Sequence, residues 1–340
     1  MSRYAEAHIS CNGHGDARPT ALQIVGDENL VGKLSDKVFI VTGVSSGIGI
    51  ENMRALYATG GHVIGIVRNL EKGQKAVDDV KAKTQGGKIT LIEMDLESLA
   101  SVKAGAEEIL KQTDNINILI NNAGVMATPQ GKTNNGFETQ FGTCHVAHFY
   151  LFQLLKDTLL KSSTPDFPSR VVCVSSIGHR CGEVRFDDYN FEQPGSYDPW
   201  VSYGQAKTAN IYMANEIERR YGARGLHATS LHPGGIATGL TKHLDPAQAA
   251  EWATPEIARY MKSPEQGAAT SVYAALSGEW KDKGGRYLSN CVEQEAWKPR
   301  DLSQPISVDH DGYQTWAYNE TKEKRLWRDS LKMVGLDNDD

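Results

Sequence analysis

The strongest constraint on this chain is an alternation. Four short apolar runs, Val38-Phe39-Ile40-Val41, Val63-Ile64-Gly65-Ile66-Val67, Ile89-Thr90-Leu91-Ile92 and Ile116–Ile120, are separated by stretches of helical period over 47–59, 70–84 and 98–112. A run that is apolar at nearly every position suits a strand buried on both faces. Such strands alternating with helices build a parallel sheet covered on both sides. The alternation continues with a long helix over 136–161, a strand over 170–175, a helix over 202–221, a strand over 226–231, a helix over 265–278 and a short strand over 286–289. Right-handed crossovers then predict a single α/β domain over 36–340, a doubly wound (Rossmann) parallel sheet of about seven strands with helices on both faces. Residues 1–35 are polar without a sustained period and read as an N-terminal arm, packed on the surface or partly disordered.

Two stretches, 178–201 and 234–264, interrupt the rhythm. Both follow predicted strands, so both belong at the carboxyl edge of the sheet, where open α/β sheets bind ligands. The second, near 235–264, is a candidate substrate lid.

The first strand runs into Thr42-Gly43-Val44-Ser45-Ser46-Gly47-Ile48-Gly49, which also opens a helix. Glycines there let backbone approach a pyrophosphate, and the helix start supplies N–H groups and partial positive charge. Gly43, Ser45, Ser46, Gly47, Ile48 and Gly49 are therefore candidate dinucleotide contacts. The bland reading is an ordinary strand-to-helix turn. Gly43-Val44-Ser45-Ser46-Gly47 also fits the G-x-S-x-G elbow of serine hydrolases. That elbow normally follows a mid-sheet strand and needs no third glycine.

At the end of the second strand, NAD-binding units carry an acidic residue for the ribose hydroxyls. Here that place reads Val67-Arg68-Asn69. A guanidinium suits a 2′-phosphate through bidentate, charge-assisted contacts, so NADP(H) is the expected cofactor. Arg68 could instead be a solvated charge, or stack on adenine without choosing.

The net charge of −6 gives no footprint for nucleic acid. No stretch reaches the ~18 apolar residues of a membrane span, and no signal peptide opens the chain. Cys11, Cys144, Cys173, Cys181 and Cys291 show no paired or metal-like spacing, which predicts free thiols in a cytoplasmic protein. His145, His148 and His179 lack metal-site spacing, and no metal is expected. Asn319-Glu320-Thr321 matches a glycosylation sequon, read as chance without secretion.

With these motifs the chain resembles the short-chain dehydrogenase/reductase family, in its retinol-dehydrogenase-like branch. The landmarks are Thr42–Gly49, Asp95, Asn121-Asn122-Ala123-Gly124, Ser175-Ser176, Tyr203-Gly204-Gln205-Ala206-Lys207, His232-Pro233-Gly234, the Gly285–Ser289 strand and Leu326–Ser330; together they cover about 36–336. The resemblance implies Tyr203 as general acid/base, Lys207 as the ammonium that favours its phenolate and holds the nicotinamide ribose, and Ser176 as a hydrogen-bond partner of the substrate oxygen. Lys207 lies one helical turn from Tyr203 on the same face. The resemblance also implies Asp95 and Leu96 beside adenine, with a helix N-cap as the alternative for Asp95. Asn122, Ala123 and Gly124 would lie along the cofactor, and Pro233, Gly234, Ile236 and Thr238 at its phosphates or carboxamide. It implies an apolar small-molecule substrate and a possible homodimer.

One position departs from the pattern. The string Gly136-Phe137-Glu138…Phe141-Gly142-Thr143-Cys144-His145 carries Cys144 where the branch has an Asn that completes a proton relay to Lys. Three readings follow: a relay that runs through water alone, a neighbour that stands in, or a non-redox cofactor-binding, isomerase, cyclase or scaffold role. A buried Cys as core filler is also common. Tyr197, Trp200, Trp252, Tyr260 and Met261 are candidate pocket walls or ordinary packing.

Overall fold

The computed structural model describes residues 2–247, 250, 253–298 and 311–338. Its sheet has eight strands: β1 (Val38–Thr42), β2 (His62–Val67), β3 (Lys88–Glu93), β4 (Ile118–Asn121), β5 (Ser169–Val174), β6 (Leu226–His232), β7 (Arg286–Ser289) and β8 (Val292–Glu293). Their order is β3-β2-β1-β4-β5-β6-β7-β8. All neighbouring pairs are parallel except β7 with β8.

The eighth strand was not expected. Asn290 and Cys291 turn the chain with φ of 54° and 56°. Two positive values in a two-residue hairpin loop are what a type I′ turn demands, and the usual signal for it is Asn-Gly, not Asn-Cys.

One face of the sheet is covered by α1 (Ala21–Asp27), α2 (Ile48–Ala58), α3 (Leu70–Lys83) and a late helix, Ala269–Leu276. The other carries α4 (Leu99–Gln112), the long helix Ala147–Ser162, Pro199–Tyr221 and Glu320–Met333. In chain order the helices after α4 are α5 (Thr139–Phe141), α6 (Ala147–Ser162), α7 (Pro199–Tyr221), α8 (Pro255–Ala258), α9 (Pro264–Gly267), α10 (Ala269–Leu276) and α11 (Glu320–Met333). Each face has its own continuous core, so this is a three-layer α/β fold.

Three local differences from the sequence expectations have clear causes. α1, within the supposed arm, is capped by Thr20 and buries Ile24 and Val25 completely; seven residues are too few to show a period. The helix expected over 136–161 is interrupted: Gly142–Val146 forms a π turn between α5 and α6. α7 begins three residues before 202, because Asp198 accepts from the N–H groups of Trp200 and Val201 and Pro199 opens the first turn. Asn319, the sequon residue, caps α11 by accepting from Lys322 N–H.

The strand order reverses between β1 and β4. Beyond their carboxyl ends lies the crevice where such sheets bind ligands.

Candidate active site

The glycine turn sits in that crevice. Gly43 has φ +76°, and a Cβ placed on it would come within 2.9 Å of Ala123 Cβ. A Cβ on Gly49 would strike Gly43 O at 2.1 Å. These close approaches leave no room for side chains between β1, α2 and the Asn122–Gly124 loop. The α2 N-cap is Gly47, which supplies no side-chain acceptor, so the N–H groups of the first turn around Ile48 and Gly49 have no side-chain cap. Ser45 and Ser46 lie between the two positive-φ glycines. An uncapped helix start in a turn whose glycines keep the backbone bare fits a pyrophosphate.

Thr42 joins this turn to its neighbour. Its Oγ1 accepts from Asn122 N–H and Ala123 N–H, both at 2.9 Å, and its carbonyl accepts from Asn122 Nδ2 at 2.8 Å. Thr42 Oγ1 also lies 2.9 Å from His148 Nε2, and His148 Nδ1 lies 3.0 Å from the Cys144 carbonyl. A carbonyl only accepts, so Nδ1 carries the proton and Nε2 accepts from the Thr42 hydroxyl. Burial holds the His148 imidazole neutral, pushing its pKa down to about 4. The sequence analysis weighed Thr42 only as the start of the glycine turn and His148 only as a metal ligand. The i, i+4 spacing of Cys144 and His148 was the available signal.

Tyr203 and Lys207 project from α7 into the carboxyl edge. Tyr203 is buried, its ring 5.6 Å from Lys207 Nζ, and the ring and the Ser176 hydroxyl flank the same glycine, Gly178. Lys207 Nζ donates to the Val174 carbonyl at the end of β5, at 3.1 Å. Ser175 and Ser176 divide their work. Ser175 Oγ is buried and donates to the Lys207 carbonyl at 2.7 Å, whereas Ser176 Oγ faces Tyr203 and accepts from Gly178 N–H. His179 Nδ1 lies 2.6 Å from the Ser176 carbonyl and its Nε2 accepts from Gln314 N–H, so the serine loop is tied to the C-terminal segment.

Burial raises the Tyr203 phenol above its ordinary pKa, while the Lys207 ammonium and Ser176 hydroxyl pull it down. The net direction is upward, opposite to the acidic phenol the sequence led us to expect. The cause is the apolar cluster of Met126, Ala127, Trp200 and Leu244 packed around the ring. Trp200 meets Tyr203 edge-on at 6.1 Å. Met126 and Leu244, from the loops after β4 and β6, were not singled out from sequence. Tyr197 turns away, donating to the Thr128 carbonyl. Trp252 lies outside the described residues.

Cys144 occupies the middle of the π turn, a departure that often marks functional positions. It is fully buried, accepts from Val125 N–H (3.5 Å) and donates to Val125 C=O (3.6 Å). A Cβ on Gly124 would lie 3.3 Å from Cys144 Sγ and 3.4 Å from Lys207 Nζ, so thiol and ammonium flank the same glycine. His145 does not stand in for the missing amide: its Nε2 meets Ser330 Oγ of α11 on the far side.

At the other end of the groove Arg68 is 66% exposed and pairs with Glu97 at 3.4 Å. Asp95 accepts from Glu97 N–H within its own loop, and the neighbouring Leu96 is buried. Ser98, not Asp95, caps α4. After β6, Pro233 and Gly234 lead into Ile236 and Thr238. Ile236 packs near Ile48, where the empty side of Gly267 admits both, and the Thr238 methyl would meet a Cβ on Gly47 at 3.2 Å. The loop after β6 thus closes over the glycine turn.

The comparisons with known proteins agree with this geometry. A short chain dehydrogenase family model matches residues 37–190. The chain is 49% identical over 98% of its length, and 95% of the relative's, to short-chain dehydrogenase/reductase prx1 of Penicillium roqueforti. It is 34% identical to human retinol dehydrogenase 13, over 88% of this chain and 85% of that one. Among solved structures, the Pseudomonas aeruginosa RhlG/NADP active-site complex superposes with a TM-score of 0.61 at 22% identity, over 76% of this chain and 96% of that chain, a likeness of fold. The protein belongs to the short-chain dehydrogenase/reductase family, in its retinol-dehydrogenase-like branch. It is an oxidoreductase of that family, whose members bind a nicotinamide cofactor, and the serine-hydrolase reading of Gly43–Gly47 is thereby set aside. Among the described residues no helix is long and apolar enough to cross a membrane.

Proposed function

We propose that the protein is an NADP(H)-dependent oxidoreductase that reduces a ketone or aldehyde on an apolar small molecule, or runs the reverse oxidation. The observation that carries this reading is the Tyr203 phenol, next to the Ser176 hydroxyl across Gly178, beside the Lys207 ammonium and walled by Met126, Trp200 and Leu244. A nicotinamide dinucleotide, when bound, supplies or takes the hydride. Its pyrophosphate would lie on the Gly43–Gly49 turn and its nicotinamide end between Lys207 and the Pro233–Thr238 loop. Arg68 is the available cation for a 2′-phosphate.

Tyr203 and Ser176 would both hydrogen-bond the substrate oxygen. As charge grows on that oxygen, Ser176 stabilises it and Tyr203 delivers its proton. The Lys207 ammonium then lowers the cost of the phenolate left behind. The buried phenol carries its proton at neutral pH and can donate it to the substrate oxygen. The apolar wall selects substrates by burying hydrocarbon next to the carbonyl. Cys144 holds both backbone groups of Val125 and so fixes the loop next to Lys207.

The test is consumption of NADPH with a panel of apolar ketones and aldehydes. Turnover by the parent protein that vanishes in Tyr203→Phe supports the proposal. Turnover that survives the substitution overturns it.

A further inference from the structure

The N-terminal segment, which the sequence left without a task, is laced to the site through a second layer of chain. Arg18 is buried, and its guanidinium donates to the carbonyls of Tyr260 (2.8 Å), Met261 (2.7 Å) and Gly13 (2.9 Å) and to Asp16 Oδ1 (2.8 Å). Gln266 binds back: its Nε2 donates to Asp16 Oδ1 and to the Arg18 carbonyl, and its Oε1 accepts from Gly15 N–H. Gly13 N–H donates to the Arg259 carbonyl. Although burial works against ionisation, the bonds from Arg18 and from the Asn12 and Arg18 N–H groups hold the Asp16 carboxyl down at about 2. Four of the five N–H groups of the buried guanidinium thus have acceptors, and such a network fixes one geometry.

The layer that Arg18 grips holds the loop after β6 in turn. Lys262 N–H donates to the Gly235 carbonyl at 2.8 Å, and Ile236 forms a parallel bridge with Lys262. The buried Lys262 ammonium donates to the Pro233 carbonyl (3.1 Å) and to Asn290 Oδ1 (2.8 Å). Its stem fills the space where a Cβ on Gly234 would be, and Met261 Sδ does the same at Gly235. Three stretches are therefore stacked, 13–18 on 260–262 on 233–236, and the innermost is the one assigned above to the dinucleotide.

We propose that Arg18 is a positioning residue of the dinucleotide site: by fixing the carbonyls of Tyr260 and Met261 it sets the Lys262 contacts that hold Pro233–Ile236 against the cofactor. The inference rests on the reading of that loop as dinucleotide-binding. Arg18 touches neither cofactor nor substrate. Its planar fork reaches two successive carbonyls at once, which a lysine cannot reproduce.

The experiment compares the parent protein with Arg18→Met and Arg18→Lys, and with Asp16→Asn as a milder loosening should Arg18→Met fail to fold. NADPH dissociation constants come from fluorescence titration, steady-state constants from NADPH consumption, and amide hydrogen exchange is followed in the free proteins. The expected result is NADPH binding weakened by about 3- to 30-fold, the range typical of remote positioning residues. KM for NADPH should rise more than kcat falls, and exchange should quicken at the Lys262 amide, which donates to the Gly235 carbonyl, with partial recovery in Arg18→Lys. Exchange that quickens only within 13–18, or a lowered melting temperature with NADPH affinity unchanged, overturns the proposal alone. A parent protein that binds neither NADPH nor NADH overturns the reading beneath it as well.

Discussion

At the Tyr203 end of the groove most polar side chains around the phenol are tied to backbone. Lys207 donates to Val174, Ser175 donates to Lys207, Thr42 and His148 link Asn122 and Ala123 to Cys144, and His179 holds the serine loop. At the Arg68 end, the charge proposed to choose the cofactor stands in solvent with one long ion pair to Glu97. The contrast teaches how the two tasks are held. Proton transfer needs atoms fixed to within a few tenths of an ångström, so that end is built into the fold. Cofactor choice needs only a charge of the right sign within reach, so it sits on a side chain whose loss the fold would not notice.

The sharpest way to break the comparison is at Tyr203. Tyr203→Phe should lower kcat by about 10²–10⁴-fold, the usual size of a lost general acid, while NADPH still binds. The pH profile checks the same group. Burial raises its pKa, so reduction should stay level through neutral pH and fall only on the alkaline side, whereas the reverse oxidation, which needs the phenolate, should climb with pH. Lys207→Met removes the main opposing cation and should move the oxidation limb to still higher pH. An oxidation limb that moves down instead would mean that Lys207 does not act on the phenol.

Acid should also tell the two ends apart. His148 and His179 are held neutral by burial, each with a pKa near about 4, and His145 near about 3. A histidine whose folded pKa is depressed adds stability above its unfolded value of about 6.5. That stability is lost as pH falls toward the folded value, at up to about 1.4 kcal/mol per pH unit for each group. Denaturant midpoints should therefore drop steeply between about pH 6.5 and 4. His148→Gln, which keeps a donor and an acceptor, should flatten part of that slope. An unchanged slope would sink the assignment of His148 as a buried neutral link.

Arg68 gives a smaller effect. Arg68→Ala should reduce the preference for NADPH over NADH by about 10-fold, the lower end of the range for a charge-assisted bond to phosphate, because the site is open to solvent and salt. Stability should move by less than about 0.5 kcal/mol. Equal loss of NADPH and NADH binding would show that Arg68 stacks or braces without choosing.

The sequence made one half of this contrast far easier to read than the other. The βα alternation, the Gly43–Gly49 turn and the Tyr203–Lys207 spacing are local patterns, and local patterns survive in one dimension. What escaped was set by contacts between distant segments. The π turn around Cys144 leaves a helical period nearly intact. α1 is too short to show a face, and the hairpin into β8 uses a cysteine where glycine is the usual cue. The Met126 and Leu244 walls come from two loops that only the sheet order brings together. The N-terminal segment looked idle because Arg18 meets its partners some 240 residues on, at separations of 242 and 243.

Cys144→Asn is the finest test of the buried end, and its expected effect is the smallest. The thiol now makes two long bonds to the N–H and C=O of one residue, Val125. A primary amide offers the matching acceptor and donor with stronger, shorter bonds, and it is the group the family resemblance expects at this place. The π turn already gives the position unusual backbone room, and Gly124 leaves open the side that faces Lys207. Asparagine should therefore be accommodated, with kcat equal to the parent or up to a few-fold higher and the Tyr203 pH limb unmoved. Cys144→Ala, which abandons both Val125 groups, should instead lose about 1–3 kcal/mol of stability, the cost of buried polar groups left unpaired. Loss of all turnover in a well-folded Cys144→Asn would mean that the thiol has chemistry of its own, and that this end of the groove was rebuilt around sulfur.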